Sequence, residues 1–191
     1  NVMLGYKTGY SNTNGKNNVF LGYESGKANT IGESNVFIGY QSGFYNTSGY
    51  RNIFIGEQSG YNNTNGIFNT FIGYSAGMAN VTGNRNAFVG YRSGYSNTTG
   101  EWNAFFGFQA GFGNTEGNNN SYFGQNTGFN STTGINNSYF GYNAGFNNVS
   151  GSNNTFIGYQ AGYSKVGSTA YDNVMIGQQV GYNLTDGHDN V

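Results

Sequence analysis

The feature that most constrains the fold is a period of 17 residues that runs through all 191 residues. A period of this kind indicates a repeat architecture, in which each unit buries its apolar side chains only by stacking on its neighbours. Each unit opens on an asparagine, and these are Asn1, Asn18, Asn35, Asn52, Asn69, Asn86, Asn103, Asn120, Asn137, Asn154 and Asn173. The last step is longer because two residues are inserted between Lys165 and Asp172. We therefore expect residues 1–191 to be one array of eleven repeats, a section of a longer or processed chain.

Glycine recurs at the fifth, ninth and fifteenth places of the repeat, as in Gly90, Gly94 and Gly100. The apolar segment between the opening asparagine and the first glycine is too short for a helix but long enough for a strand. Glycines so closely spaced mark points where the chain turns tightly. No proline interrupts the pattern. The repeat predicts an all-β fold, a parallel β-solenoid (β-roll) with coils of 17 residues stacked about 4.8 Å apart.

The third and fourth places of the repeat are both apolar. Neighbouring residues of a strand point to opposite faces, and a coil of 17 residues can enclose only one of them. The other face needs a partner surface, so the pattern predicts an oligomer. We assign the third place to the core or the oligomer interface: Phe20, Phe37, Phe54, Phe71, Phe88, Phe105, Tyr122, Tyr139 and Phe156.

The polar places of the repeat suggest structural ladders. The opening asparagine, the asparagine at the twelfth place and the threonine at the thirteenth recur in most coils, as in Asn86, Asn97 and Thr98. Asparagine suits turns, and identical amide side chains stacked in register can hydrogen-bond along the stack. The seventh, eleventh, sixteenth and seventeenth places vary, and we expect them to form a solvent-facing edge.

Composition argues against several classes of partner. Charged residues make up 8% of the chain and the formal net charge is -1, so no large basic face is available for nucleic acid or anionic lipid. No apolar run is long enough to insert into a membrane. The absence of cysteine excludes disulfides and thiolate sites. We expect no nucleic-acid partner and no membrane insertion within this chain.

Residues with catalytic or metal-binding chemistry do not converge in the sequence. The single histidine, His188, lies at a variable place beside Asp186 and Asp189, which is too few ligands for a metal site. The acidic residues share no place in the repeat, so paired carboxylates for hydrolysis would meet only by accident of stacking. We therefore expect no catalytic residues, no cofactor and no metal, and hence a protein that is not an enzyme.

The repeat Asn-x-Phe-Ile-Gly-Tyr-x-Ala-Gly-Tyr-x-Asn-Thr-Thr-Gly resembles the glycine- and asparagine-rich arrays of bacterial surface and phage tail-fibre-like proteins. Those arrays often precede an endosialidase-type chaperone domain. Its Asn-x-x-Ile-Gly part is more loosely similar to the head repeats of trimeric autotransporter adhesins. This chain departs from those heads in its period and in its large aromatic residues. The resemblance implies a homotrimeric fibre located outside the cell, at a cell surface or on a virion.

These observations predict an adhesive or structural fibre segment, serving as a stalk or a head, with other copies of the chain as partners. A subunit of a self-polymerising filament is an alternative. A third possibility is the binding of surface glycans by aromatic stripes at the sixth and tenth places. The irregular threonine face argues against ice binding. The sixth-place candidates for glycan contact are Tyr6, Tyr23, Tyr40, Tyr74, Tyr91, Tyr142 and Tyr159.

Overall fold

The computed structural model describes all 191 residues, and it shows a parallel β-solenoid, as the repeat predicts. Each coil contributes one strand of three residues, and the rest of the coil is built of turns. The eleven strands form a single sheet in chain order, so each coil lies between its two neighbours in sequence. The strands are β1 (Val2–Leu4), β2 (Val19–Leu21), β3 (Val36–Ile38), β4 (Ile53–Ile55), β5 (Thr70–Ile72), β6 (Ala87–Val89), β7 (Ala104–Phe106), β8 (Ser121–Phe123), β9 (Ser138–Phe140), β10 (Thr155–Ile157) and β11 (Val174–Ile176).

Every strand pairs in strict register with the next, so identical places of the repeat lie directly above one another. In the pairing of β6 with β7, for example, Phe88 faces Phe105 and Val89 faces Phe106. The turns stack in the same way. Backbone hydrogen bonds link Thr98 to Thr115 (2.9 Å) and Arg92 to Tyr74 (2.9 Å), which are also 17 residues apart. Because hydrogen bonds between coils run through strands and turns alike, the sequence period becomes a rod.

Glycine at the ninth place has a positive φ, +58° at Gly94, and its missing side chain leaves room for a ring. A Cβ atom built there would overlap the ring of Phe88. The fifteenth-place glycine, such as Gly100, has no positive φ. It is required by space alone, since a Cβ atom would overlap the amide of Asn97 and the carbonyl group of Gly117. Only two of the three glycine series are therefore conformational hinges.

Positive φ angles also occur at non-glycine residues, at the seventh and seventeenth places of the coils. Arg92 (+51°) and Trp102 (+59°) are examples. This left-handed conformation is uncommon outside glycine, asparagine and aspartate, and it is a genuine outlier for bulky residues. The coil therefore turns at four left-handed or glycine-only points, of which the glycine pattern predicts only two.

The two-residue insertion is absorbed as a local bulge. Lys165, Val166 and Gly167 are exposed, with Val166 88% accessible. The regular coil resumes at Ala170, whose carbonyl oxygen accepts a hydrogen bond from the side chain of Asn154 (2.7 Å). That carbonyl replaces the glycine carbonyl that serves this purpose in the other coils, so the stack continues into β11.

Candidate functional site

The third-place aromatic row lies inside the single chain and forms its core. All nine rings are fully buried, and consecutive rings stack face to face with centroids 4.7–4.9 Å apart. The residues are Phe20, Phe37, Phe54, Phe71, Phe88, Phe105, Tyr122, Tyr139 and Phe156. Of the two roles considered for this row, the structure gives it that of core. With no exposed surface, these side chains have nothing to offer a second chain.

Two tyrosines in this core row bring hydroxyl groups into the interior. The hydroxyl of Tyr122 is 2.9 Å from Ser131 Oγ, and that of Tyr139 accepts a hydrogen bond from the amide of Asn148 (2.7 Å). Burial raises the pKa of both phenols well above the usual value, because a phenolate would be desolvated there. Both core tyrosines therefore remain neutral and hydrogen-bonded at ordinary pH.

The asparagine ladders are present, as the sequence predicts. At the twelfth place the amide nitrogen of Asn97 donates to Oδ1 of Asn80 (2.8 Å), and the bond repeats from coil to coil. The opening asparagine accepts from the backbone N–H of its successor and donates to a glycine carbonyl group, as Asn86 does toward Asn103 and Gly100. Threonine hydroxyls at the thirteenth place donate to the threonine, or valine, carbonyl of the next coil.

The twelfth-place ladder stops where its residue changes. The eighth coil carries Ser131 at this place and the tenth carries Lys165. As a result, Oδ1 of Asn114 and Oδ1 of Asn148 are buried without a donor. Ser131 itself pairs with the hydroxyl of Tyr122, so the smaller side chain provides the space that a core tyrosine needs.

The fourth-place row, which we call the outer row, points away from the core. Seven of its eleven residues are 36–71% exposed, and the other four are partly buried. Phe106, Phe123 and Phe140 stack on one another with centroids 4.9 and 5.0 Å apart. The row consists of Leu4, Leu21, Ile38, Ile55, Ile72, Val89, Phe106, Phe123, Phe140, Ile157 and Ile176. An unbroken apolar strip therefore runs along the outside of the sheet.

The sixth-place aromatic candidates are also on the surface. Tyr6, Tyr23, Tyr40, Tyr74, Tyr91, Tyr142 and Tyr159 are 39–58% exposed. Adjacent rings in this row stack with centroids 5.0–5.4 Å apart, so they cover each other's faces and present mainly their edges. Glu57 and Gln125 occupy the same place in the fourth and eighth coils and interrupt the row. Only the rings beside these two breaks have a face without an aromatic neighbour.

The tenth-place aromatic residues form a second, mostly half-buried stack. Seventh-place side chains lie between the sixth- and tenth-place rows, as Arg92 shows with its guanidinium 5.2 Å from the Tyr91 ring and 5.4 Å from the Tyr95 ring. In the second coil, Lys27 and Gln41 donate hydrogen bonds to Glu24, and these bonds lower the pKa of that carboxyl group. Several seventh-place residues, Glu24 among them, are buried, so this variable place is only partly solvent-facing.

The seventeenth place carries a feature that repeat-by-repeat reading did not single out. In coils three to six it holds Arg51, Phe68, Arg85 and Trp102, which we call the basic-aromatic ladder. The Arg85 guanidinium carbon lies 5.6 Å from the Phe68 ring centre and 4.6 Å from that of Trp102. Arg51 lies 5.3 Å from the Phe68 ring. Aligning the repeats would have revealed the alternation, since a solenoid stacks equal places.

At one end of the basic-aromatic ladder the surface opens into a depression of about 530 Å³. It is the one cavity of the chain. Its lining consists of Ile31, Glu33, Ser34, Ser48, Tyr50 and Arg51. The depression forms where Ser34, a small residue, occupies the place that Arg51 and Phe68 fill in the next two coils.

The remaining chemistry-bearing residues are dispersed. His188 is exposed; its Nδ1 is 3.0 Å from Asp189, and its ring stacks on Tyr171 with centroids 5.0 Å apart. Asp186 accepts a hydrogen bond from Thr169. No group of three or more histidine, cysteine, aspartate or glutamate side chains is arranged to hold a metal ion. The structure also has no helix of the length and apolar character that spanning a membrane requires.

Comparison with known proteins found no matching family model, no matching curated protein and no matching solved structure. The geometry described above is thus the basis for assigning a role to this β-solenoid repeat protein.

Proposed function

We propose that this chain is a section of a non-enzymatic structural or adhesive fibre located outside the cell, in which three copies associate through their outer rows. The observation that carries the proposal is the outer row itself, a continuous apolar strip on an otherwise polar rod. Soluble monomers rarely leave such a strip open to water.

The size of the strip supports an interface. Taking about 200 Å² for a whole aromatic side chain, 36% exposure leaves roughly 70 Å² for each of Phe106, Phe123 and Phe140. Eleven residues of this kind expose on the order of 700 Å², above the few hundred Å² usual for a monomer. This is close to the ~800 Å² that each partner contributes to a standard interface.

The internal construction supports a mechanical role. Each coil contacts only its neighbours, through the same aromatic stack and the same asparagine and threonine ladders, so length grows by repetition without new interactions. A trimer and a location at a cell surface or on a virion fibre follow from the resemblance of the repeat to bacterial surface and phage-fibre arrays.

Light scattering across a dilution series tests the proposed assembly. One chain is 20.6 kDa, and we expect a stable mass of about 62 kDa, three times that value. The triple variant Phe106→Ser, Phe123→Ser, Phe140→Ser should fall to the mass of one chain while keeping its β-sheet circular dichroism. The control Phe108→Ser, at the sixth place of the same coil as Phe106, should keep the trimer.

A wild-type mass of one chain at all concentrations would overturn the assembly. Open-ended growth with concentration would favour the filament alternative, in which coils of different molecules stack end to end.

Glycan binding by the sixth-place row is a second candidate, favoured by the exposure of these rings. Since stacked neighbours cover most ring faces, sugars could stack only at the two breaks, against rings such as Tyr40 and Tyr74 beside Glu57. Titration of neutral oligosaccharides against Tyr74→Ala, with Tyr23→Ala as the control inside an unbroken stack, distinguishes this role. Equal binding by both variants and the wild type would remove it.

A further inference from the structure

We propose that the basic-aromatic ladder and the adjoining depression bind an acidic glycan whose carboxylate or sulfate groups recur on every second sugar. This site is separate from the outer row and does not rest on the proposed assembly.

The two arginines of the ladder are available to an anion. The ion pairs of the chain are Glu24 with Lys27 and His188 with Asp189, so neither Arg51 nor Arg85 has an acidic partner. The nearest acidic residue at this height, Glu101, accepts a hydrogen bond from Asn84 (2.7 Å). A guanidinium held against aromatic faces keeps its N–H groups free at the edge, where they can grip a carboxylate or sulfate in bidentate fashion.

The aromatic members hold the guanidinium groups at fixed heights. Arg85 is sandwiched between Phe68 and Trp102, and Arg51 lies against Phe68 on one side, with Tyr50 also beside it at 5.9 Å. Trp102, the only tryptophan of the chain, is 56% exposed. Arginine, tryptophan and tyrosine are the residues most enriched at binding hot spots.

Backbone strain sets these residues apart from their equivalents in other coils. Phe68 and Trp102 have φ angles of +59°, in the left-handed region that bulky side chains avoid. The equivalent residues elsewhere include Asn17, Asn119 and Asn136, which tolerate this conformation better. Bulky residues kept in a strained conformation are typical of functional sites.

The depression supplies the polar groups that a sugar needs. Hydroxyls of Ser34, Ser48 and Tyr50 and the carboxylate of Glu33 surround the Arg51 side of the cavity, and Ile31 provides an apolar wall. A sugar ring with its own acidic group could place that group on Arg51 and its hydroxyls on the serines and Glu33. The mixture of one cation with several hydroxyl partners suits a carbohydrate.

The spacing of the arginines selects the kind of glycan. Arg51 and Arg85 are two coils apart, about 10 Å at ~4.8 Å per coil. Two pyranose units of an extended chain cover a similar length, so acidic groups on alternate sugars meet both arginines. Nucleic acid is a poorer match, because it places a phosphate on every unit and such binding relies on many more cations than this chain carries.

Isothermal titration with a hyaluronan octasaccharide at low salt tests the site. We expect saturable binding, lost at least tenfold in Arg51→Gln and Arg85→Gln and further in the double variant. The carboxyl-reduced octasaccharide, which has the same chain without charge, should bind at least tenfold more weakly to the wild type. The control Arg92→Gln removes another arginine that lies over aromatic rings, but at the seventh place, and should bind as the wild type does.

Absence of saturable binding to the octasaccharide would overturn the proposal, and so would equal losses in Arg51→Gln and Arg92→Gln. Tighter binding of a thymidine oligonucleotide of equal charge would show that the ligand class is wrong. Because all three substituted arginine side chains lie at the surface or half-buried, unchanged circular dichroism is expected for each variant.

Discussion

Phe105 and Phe106 are the same amino acid at neighbouring positions of one strand, yet they have opposite surroundings. Phe105 is fully buried between Phe88 and Tyr122, whereas Phe106 is 36% exposed on the outer row. The inner ring sits over a glycine of its own coil, Gly111, which leaves room for it. Hydrophobicity alone does not decide which side of a strand becomes the core; the space left by residues around the coil does.

The first prediction concerns how tightly the inner row is packed. Gly94→Ala places a methyl group into the ring of Phe88 and forces alanine into a left-handed conformation. We expect the free energy of unfolding to fall by roughly 2–5 kcal/mol, combining left-handed strain with overpacking. Chemical denaturation of the variant against the wild type measures this loss.

Gly167→Ala is the matched control, since Gly167 also has a positive φ (+87°) but no atom within 4 Å of its Cβ position. It should lose only about 1–2 kcal/mol, the left-handed part. Equal losses in the two variants would mean that the inner ring has room to move.

The second prediction compares polar residues inside and outside the coil. Asn80 is fully buried, donates to Asn63 and accepts from Asn97. Asn80→Ala leaves Oδ1 of Asn63 buried without a donor, so we expect a loss of roughly 2–3 kcal/mol in urea unfolding. Thr99→Ala, at an exposed site of the next coil, should change the unfolding free energy by less than about 0.5 kcal/mol. A harmless Asn80→Ala would show that the ladder does not stabilise the stack.

The third prediction uses the two tyrosines of the inner row. Their folded-state pKa values are raised by burial, so the folded state keeps its phenol protons above pH 10 while the unfolded chain releases them. Stability therefore falls as pH rises above about 10, by up to ~1.4 kcal/mol per pH unit for each tyrosine.

Comparing unfolding at pH 8 and pH 11 in the wild type and in Tyr122→Phe/Tyr139→Phe measures this. The double variant loses buried hydrogen bonds and should be less stable at pH 8, but its further decrease at pH 11 should be smaller. An identical decrease in both proteins would contradict the enclosure of these hydroxyls.

Much of the fold could be predicted because a strict period requires equal residues to stack. The solenoid, the three-residue strand ending before Gly90 and the asparagine and threonine ladders all follow from that rule. The sequence left open which apolar row is internal, since a three-residue strand with two apolar neighbours has no polar side to orient it. The ninth-place glycine was the available signal, because it alone leaves space for a ring over it.

The candidate sites were less predictable than the fold. Variability at the seventeenth place suggested only a solvent edge, yet stacking turns Arg51, Phe68, Arg85 and Trp102 into neighbours although they are 17 residues apart. Exposure of the sixth-place rings was open from sequence, and so was the fact that their faces are covered by each other. Such properties depend on what lies in adjacent coils rather than on one repeat.

The most direct test of the account is a paired measurement on Phe105→Ser and Phe106→Ser, combining urea unfolding with light scattering. Phe105→Ser should lose about 3–5 kcal/mol, as large-to-small changes in a core do. Phe106→Ser should change intrinsic stability by less than about 1 kcal/mol and instead weaken association, lowering the mass on dilution. Equal losses of stability, or a Phe105→Ser chain as stable as the wild type, would contradict the division of the strand into an inner and an outer row.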